Sequence, residues 1–370
     1  MHSSSAVPFP RKRCGVLGCT GSVGQRFALL LEAHPYFSLH VVGASHSSCG
    51  KTYGDAVKWK QSTPLAAASA ELVVKECIPE EFFDCDLVFS GLDDSVAGGI
   101  ETSFVSAGIP VFSNAKNHRQ DPLVPLVVPT ANLSHLGLIP AQRAKLKATS
   151  IPKSSRNGDG NSDIVDTGML VCNSNCSVVG VAVPFAALEH AFGKGCIASA
   201  SITTLQAISG GGYPGVPSMD IMDNIVPFIS GEEAKISSEA RKILGSISYD
   251  ETGLASIQEA AVKISATCTR VPVLDGHTAV VSVRFAQRPL PTIEALKEAL
   301  EGFKPEAQTL GCPSAPKRAI VVMREHDRPQ PRLDRGIEGG YAVSVGRLRE
   351  DESGVWDAMF LFSGQQERRY

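Results

Sequence analysis

The 370-residue sequence lacks any apolar run long enough to cross a bilayer. Its first stretch, MHSSSAVPFPRKRC, has no apolar core of the kind a secretory signal needs. Charge of one sign is also missing. The 35 Lys and Arg nearly balance 38 Asp and Glu, a net −3, so no long-range field draws in nucleic acid or an anionic membrane. The short basic stretches, RKR at 11–13 and the final ERRY, read as solvated ends. Ten cysteines are scattered without a CxxC pair or a His/Cys cluster at zinc spacing. That excludes a dense disulfide framework and sets the expectation of a reduced, metal-free, cytoplasmic protein. There is no internal repeat. What is present is 43% hydrophobic residues, enough for two cores.

Residues 13–17, RCGVL, read as a strand running into the glycine-rich GCTGSVG, then a helix with Val23, Phe27, Leu30 and Leu31 on one face. LHVVGA, CDLVFSGL and IPVFSNA read as further strands. Strands alternating with helices predict a doubly wound parallel sheet, a Rossmann-type unit over residues 1–165. The polar stretch RAKLKATSIPKSSRNGDGNSD reads as an exposed connection. Beyond it, ASASITTLQAIS and HTAVVSVRFA are strand-like, while ISSEARKILGSI and PTIEALKEALEGF are helical. They predict a second α+β unit over 166–345, with a mixed, largely antiparallel sheet.

Gly18, Gly21 and Gly24 stand between the first strand and its helix. Glycines there permit a tight turn and close approach of a pyrophosphate, which the helix N-terminus attracts. An ordinary strand-to-helix turn is the competing reading. The second strand ends in GASHSSCGK, without the acid that would hold a ribose 2′-hydroxyl. The hydroxyls of Ser45, Ser47 and Ser48 and the nearby Lys51 suit a 2′-phosphate, favouring NADP(H) over NAD.

The segment VCNSNCSVVG places Cys176 where turn residues give way to an apolar helix beginning near Ser177. A thiol at the positive end of a helix is stabilised as thiolate; a buried small hydrophobe is the alternative. A thiolate nucleophile needs a partner to manage protons. Among nine histidines, His277 follows an Asp-Gly turn at the mouth of a strand. Arg270, seven residues earlier, could grip a carboxylate in a bidentate pair. Gln206 ends a strand before a glycine-rich loop. Glu232 and Lys235 share a helical face at i, i+3 spacing, where an exposed ion pair is the plainer account.

Taken together, GCTGSVGQRF, SGLDDSVAGGIE, SNAKNHR, VPLVVP, CNSNCSVVG, LQAISGGGYPG, TRVPVLDGHTAVV and DRPQPRLDR resemble the archaeal and fungal branch of the aspartate-semialdehyde dehydrogenase family, over about residues 12–350. The resemblance implies NADPH-dependent reduction of L-aspartyl 4-phosphate to the semialdehyde through a cysteine thioester. That step serves threonine, methionine and isoleucine biosynthesis, and lysine biosynthesis where the diaminopimelate route exists. It implies Cys176 as nucleophile, His277 as acid/base and Gln206 orienting the intermediate. Arg270 and Glu232 would hold the substrate's carboxylate and amino group, and Lys235 and Arg119 its phosphate. Gly18, Thr20, Gly21, Ser22, Val23, Gly24, Ser45, Ser48, Ser90, Gly91, Ser209 and Gly210 would hold the cofactor. A homodimer or homotetramer is implied, with no nucleic-acid or membrane partner.

The chain departs from that pattern in three places. Relatives usually carry arginine where Ser47 stands, facing the 2′-phosphate. VPTAN at 128–132 replaces more usual acidic and valine residues. Relatives also continue past the last strand into a helix that returns to the cofactor unit; here the chain reads WDAMFLFSGQQERRY. Residues of about 346–370 are still expected to return to that unit, with weaker cofactor binding and lower stability than in relatives. Malonyl-CoA reductase on the same scaffold and a non-catalytic remnant are the rival readings, and N-acetyl-glutamyl-phosphate reductase is a more distant one.

Overall fold

The computed structural model describes residues 10–149, 167–251 and 253–364. They fall into two compact units. The first takes the described parts of Met1–Pro125, Leu136–Asn173 and Gly253–Ala255; the second takes those of Leu126–His135, Ser174–Thr252 and Ser256–Tyr370.

In the first unit, strands β1 (Lys12–Leu17), β2 (Phe37–Ala44), β3 (Val74–Glu76), β4 (Leu87–Ser90), β5 (Val111–Ser113) and β6 (Leu170–Asn173) run parallel in the order β3-β2-β1-β4-β5-β6. The order turns back between β1 and β4, so the ends of these two strands form the switch point where open α/β sheets take ligands. Cys14, Val16 and Leu17 are fully buried, which is why β1 reads as an unbroken apolar run. Helix α1 (Ser22–Glu32) packs Phe27, Ala28 and Leu31 inward. Its Gln25 is buried too, its amide donating to the carbonyls of Thr20 and Lys58. Helix α2 (Asp94–Ser106) begins behind an Asp93 side chain that accepts from the Ser95 N–H.

Part of the expected polar connection is a helix, α3 (Ile139–Thr149). Its anchor is a polar side chain, Gln142, which is buried and donates to the carbonyls of Leu123 and Leu170 while accepting from the Leu170 N–H. Such an anchor leaves no apolar stripe to read. The rest of that connection, 150–165, lies outside the described residues.

The second unit holds α4 (Cys176–Phe192), β7 (Ile197–Gln206), α5 (Glu232–Ile243), β8 (Lys263–Arg270), β9 (His277–Phe285), α6 (Ile293–Glu301), β10 (Ile320–Val322), β11 (Val343–Arg349) and β12 (Ala358–Gly364). The strands form one sheet in the order β8-β7-β9-β12-β11-β10. The pairings on either side of β9 and between β12 and β11 are antiparallel, and the two outermost are parallel. Helix α4 is buried almost along its length, including Val178, Val181, Ala182, Val183 and Phe185. It is apolar on every side because it is the core of this unit.

The expected return of residues 346–370 to the cofactor unit is corrected here for the part described. Val343–Arg349 and Ala358–Gly364 stay in the second unit's sheet, β12 pairing with β9 from His277↔Gly364 to Val283↔Ala358. Burial alternates from Ala358 to Phe362, the period of a strand. Residues 365–370 lie outside the described set.

Backbone crowding in the glycine loop yields a stability test. A Cβ on Gly24 would lie 2.2 Å from the Gly18 carbonyl oxygen and 2.7 Å from the Cys19 Cα. Neither atom can rotate away, so Gly24→Ala should cost about 1–3 kcal/mol. Thermal unfolding of the purified variant checks this; a melting temperature equal to the parent's would mean the loop and α1 are not packed as described.

Candidate active site

The first residue of α4 is Cys176, one position earlier than the helix start expected from the sequence. Asn175 is the N-cap, its side-chain oxygen accepting from the Ser177 N–H at 2.9 Å. The half-buried sulfur therefore sits at the positive end of a 17-residue helix, where negative charge is favoured. His277 opens β9, and its Nε2 lies 3.1 Å from the Cys176 Sγ. His277 is 3% exposed, not a surface turn histidine. Its Nδ1 accepts from the Ala207 N–H at 2.9 Å. Burial, joined by the neighbouring Arg270 charge and opposed by Glu232, pushes its pKa down to about 4.

Arg270 ends the edge strand β8, opposite Gln206 at the end of β7. It too is buried. Its Nη1 donates to the Ala207 carbonyl at 2.7 Å and reaches the Gln206 Oε1 at 3.5 Å. Gly210 fills the narrow space between these groups. A Cβ there would stand 2.8 Å from the His277 Cε1 and 2.9 Å from the Arg270 Nη1. Gly210 was expected among the cofactor contacts; its observed neighbours are His277, a catalytic candidate, and Arg270, a substrate-binding one. The adjacent Ser209 donates its N–H to the Leu274 carbonyl, and its hydroxyl is buried without a partner among the described residues.

Glu232 is buried as well, and does not form the exposed pair that its spacing suggested. Asn175 Nδ2 donates to both carboxylate oxygens at 3.1 and 2.9 Å, Gln206 Nε2 to Oε2 at 3.3 Å, and Lys235 Nζ to Oε1 at 2.8 Å. Burial pulls its pKa upward, but Lys235, Asn175 and Gln206 hold it below the ordinary glutamate value. One carboxylate thus ties the helix carrying Cys176 to the strand end beneath His277. The second unit brings Cys176, Gln206, Glu232, Lys235, Arg270 and His277 together.

The remaining expected residues belong to the first unit. Gly18, with φ of +74°, is pressed against Gly91: a Cβ on it would lie 2.8 Å from the Gly91 carbonyl oxygen. A Cβ on Gly91 would lie 2.8 Å from the Gly24 nitrogen. Thr20 and Gly21 complete the turn, and Ser22 and Val23 begin α1. Gly21 caps α1 without a side-chain bond, and no acid stands in its first turn. Such a helix end suits an anion. At the end of β2, Ser45 and Ser47 hydroxyls are 3.1 Å apart, Ser48 is half-buried, and Lys51 Nζ donates to the Ser47 carbonyl at 3.0 Å. The cradle and these groups fit a phosphorylated dinucleotide.

Ser90 has a different place from the one expected. Its hydroxyl is fully buried and donates to Glu101 Oε1, as does that of Ser113. Arg119 is buried in this unit, its Nη2 donating to the Asn114 carbonyl at 2.7 Å.

Sequence reasoning placed Asn175 in the turn that caps α4 but gave it no tie to Glu232, and it missed Glu239 and the Ala207 amide. Glu239 Oε2 accepts the Asn175 N–H at 2.6 Å, a second acid holding the start of α4. Its signal was available, since Glu232, Ile236, Glu239, Ala240 and Ile243 share the buried face of α5. The Ala207 amide left none, because a backbone donor has no side-chain signature.

Two family matches cover most of the chain. Residues 13–139 match the semialdehyde dehydrogenase NAD binding domain, and residues 188–361 the semialdehyde dehydrogenase dimerisation domain. The chain is 57% identical to aspartate-semialdehyde dehydrogenase of Trichophyton rubrum over 351 residues, 95% of this chain and 91% of that one. It is 56% identical to the Aspergillus fumigatus enzyme of the same name, covering 94% and 90%. Among solved structures, aspartate semialdehyde dehydrogenase with NADP from Candida albicans superposes with a TM-score of 0.84 at 46% identity, covering 97% of this chain and 96% of that one. With two matched domains and relatives of this identity over nearly its whole length, the chain belongs to the aspartate-semialdehyde dehydrogenase family.

Proposed function

We propose that the chain reduces L-aspartyl 4-phosphate to L-aspartate 4-semialdehyde with NADPH, releasing phosphate. The observation that carries this reading is the 3.1 Å contact between Cys176 and His277 at the start of α4, beside the buried Arg270. The Cys176 sulfur attacks the acyl carbon and displaces phosphate, leaving a thioester on the chain. NADPH, when bound, supplies the hydride that reduces this acyl group. The glycine cradle at 18–24, with Gly91, Ser45, Ser48 and Lys51, would hold the cofactor. Gln206 would orient the acyl group, and Arg270 the substrate carboxylate. Among the described residues, only Nη1 of the Arg270 guanidinium has protein partners, which leaves N–H groups for a bidentate grip.

Glu232 is the proposed holder of the substrate's ammonium group, and its four acceptor positions already face Asn175, Gln206 and Lys235. The reading therefore has the substrate ammonium displace Lys235, freeing that cation for the phosphate. One exchange would then recognise both ends of the substrate.

We place the protein in the cytoplasm as a homodimer or homotetramer. All ten cysteines are free thiols, which suits a reducing compartment. No helix among the described residues is long and apolar enough to cross a membrane. Met219, Met222, Ile225 and Phe228 are exposed together ahead of α5, inside the region matched to a dimerisation domain. Light scattering at micromolar concentration should give at least twice the chain mass, and a monomer would remove the oligomer reading.

Phosphate-dependent reduction of NADP by aspartate semialdehyde is the direct assay. Cys176→Ala should abolish it, and a silent parent chain would sink the proposed reaction. Gly210→Ala tests the packing of the site. Displacing the His277 ring and the Arg270 guanidinium by about an ångström should lower kcat/KM on the order of a hundredfold while the circular dichroism stays that of the parent. Unchanged kinetics would mean that the crowding at Gly210 is not what aligns the pair.

A further inference from the structure

We infer that Glu101 is a positioning residue for Arg119: its buried carboxyl holds, through Ser113 on one side and His118 on the other, the two pieces of chain that fix the Arg119 guanidinium. The inference rests on the reading of Arg119 as a phosphate ligand, and it gives an acid deep in the first unit a part in binding that end of the substrate.

Glu101 is fully buried on α2, on the face it shares with Ala97, Phe104 and Val105. A carboxyl there is costly to keep, and an apolar side chain would pack without that cost, so the acid calls for an explanation. Its partners supply one. The hydroxyls of Ser90 and Ser113, at the ends of β4 and β5, donate to Oε1 at 2.6 and 2.7 Å. Oε2 has no hydrogen-bond partner among the described residues and faces the His118 Nε2 at 3.7 Å. That nitrogen also lies 3.3 Å from the Gly98 carbonyl, which can only accept, so it carries a proton. Burial, with Asp94 adding to it, pulls the Glu101 pKa above the ordinary glutamate value, while Ser90, Ser113 and His118 pull against it.

Both routes from this carboxyl end at Arg119. On the first, the Ser113 hydroxyl that donates to Glu101 accepts the Ala115 N–H at 3.0 Å, turning the chain after β5. The carbonyl of Asn114, between these two residues, accepts from Arg119 Nη2 at 2.7 Å. On the second route, His118 is the residue before Arg119, and its segment lies along α2. Lys116 bonds the Asp94 carboxylate through its N–H at 3.2 Å and its Nζ at 2.9 Å, and Asn117 Nδ2 donates to the Asp94 carbonyl at 2.9 Å. The Arg119 N–H closes the turn on the Lys116 carbonyl at 3.1 Å. Asp94, Gly98 and Glu101 recur on one face of the helix at i, i+4 and i+7, and Glu101 ties that face to the strand ends. Arg119 is buried, held at its main chain and at one guanidinium nitrogen. Charge-assisted bonds from such a fork depend on its direction, so moving either support weakens its grip on a phosphate.

Inorganic phosphate, titrated calorimetrically into the full chain, gives the test. Glu101→Gln keeps the oxygen that the two serines need but sets an amide N–H against the His118 N–H. Its phosphate dissociation constant should rise about fivefold or more, while that for NADP, whose cradle adjoins Ser90, stays within about twofold. Ser113→Ala cuts the other route and should weaken phosphate binding likewise, which covers a glutamine variant that fails to fold. In an Arg119→Ala background, Glu101→Gln should change phosphate affinity by less than about twofold, because the two residues act in series. A general loosening of the fold would instead move NADP and phosphate together and would persist without the Arg119 side chain. Unchanged phosphate affinity in both single variants, a parallel loss of NADP affinity, or an undiminished effect in the Arg119→Ala background would each overturn the inference. Turnover of aspartate semialdehyde by the same samples separates the two readings. In an active parent the loss should appear in the KM for phosphate and not in kcat. An active parent whose phosphate affinity ignores Glu101 and Ser113 sinks this inference alone; an inactive parent with the Arg119-dependent loss sinks the proposed reaction and leaves the positioning standing.

Discussion

A carboxylate taken out of water must be met by donors on every side, and the second unit is organised around that demand at Glu232. Its partners come from three elements: the N-cap of α4, the end of β7, and the next turn of its own helix. Each is adjacent to a group proposed to do chemistry. Asn175 precedes Cys176, and Gln206 precedes the residue whose amide fixes the His277 ring. Glu239, two turns further along the same face of α5, holds the Asn175 amide as well. The residue before Cys176 is therefore held by two acids on a neighbouring helix.

The first unit meets a different constraint at its strand ends, the close approach of main chain to main chain. There the ends of β1 and β4 approach backbone to backbone, and Gly18, Gly24 and Gly91 are the residues that allow it. The two helix starts are used in opposite ways. At α1 no side chain caps the end and no acid stands in the first turn, so the amides are suited to an outside anion. At α4 Asn175 closes the end upon itself, and the helix field acts on a sulfur that belongs to the chain. One terminus fits a ligand and the other acts on a thiol of the chain itself.

How much of this could be read from residues alone follows the kind of interaction involved. The glycine loop, the alternation of strand and helix, and the thiol before an apolar helix carry local signatures, and each lies where the sequence places it. Helix α3 was taken for loop because its anchor is Gln142, whose bonds run to Leu123 and Leu170. Glu232 and Lys235 were read as an exposed pair because spacing reports a face but not its depth. The resemblance places residues 346–364 with the cofactor unit, and AMFLFSG, apolar over its first five residues, has no alternation in sequence to say which sheet it joins. The Ala207 amide was out of reach, being a main-chain donor brought to His277 from 70 positions away in sequence.

These parts combine into a charge argument for the proposed substrate. Lys235 is spent on Glu232, while the Arg270 guanidinium has only neutral partners among the described residues, the Ala207 carbonyl and the Gln206 side chain. An incoming aspartyl phosphate would bring a carboxylate for Arg270 and an ammonium for Glu232, and Lys235 would be released towards the phosphate. Every charge then exchanges one partner for another, so substrate entry leaves none of them bare in a site of low polarity. A ligand without the ammonium group would leave Lys235 on Glu232 and the phosphate short of a cation, which is why a coenzyme A thioester is the poorer fit to these residues.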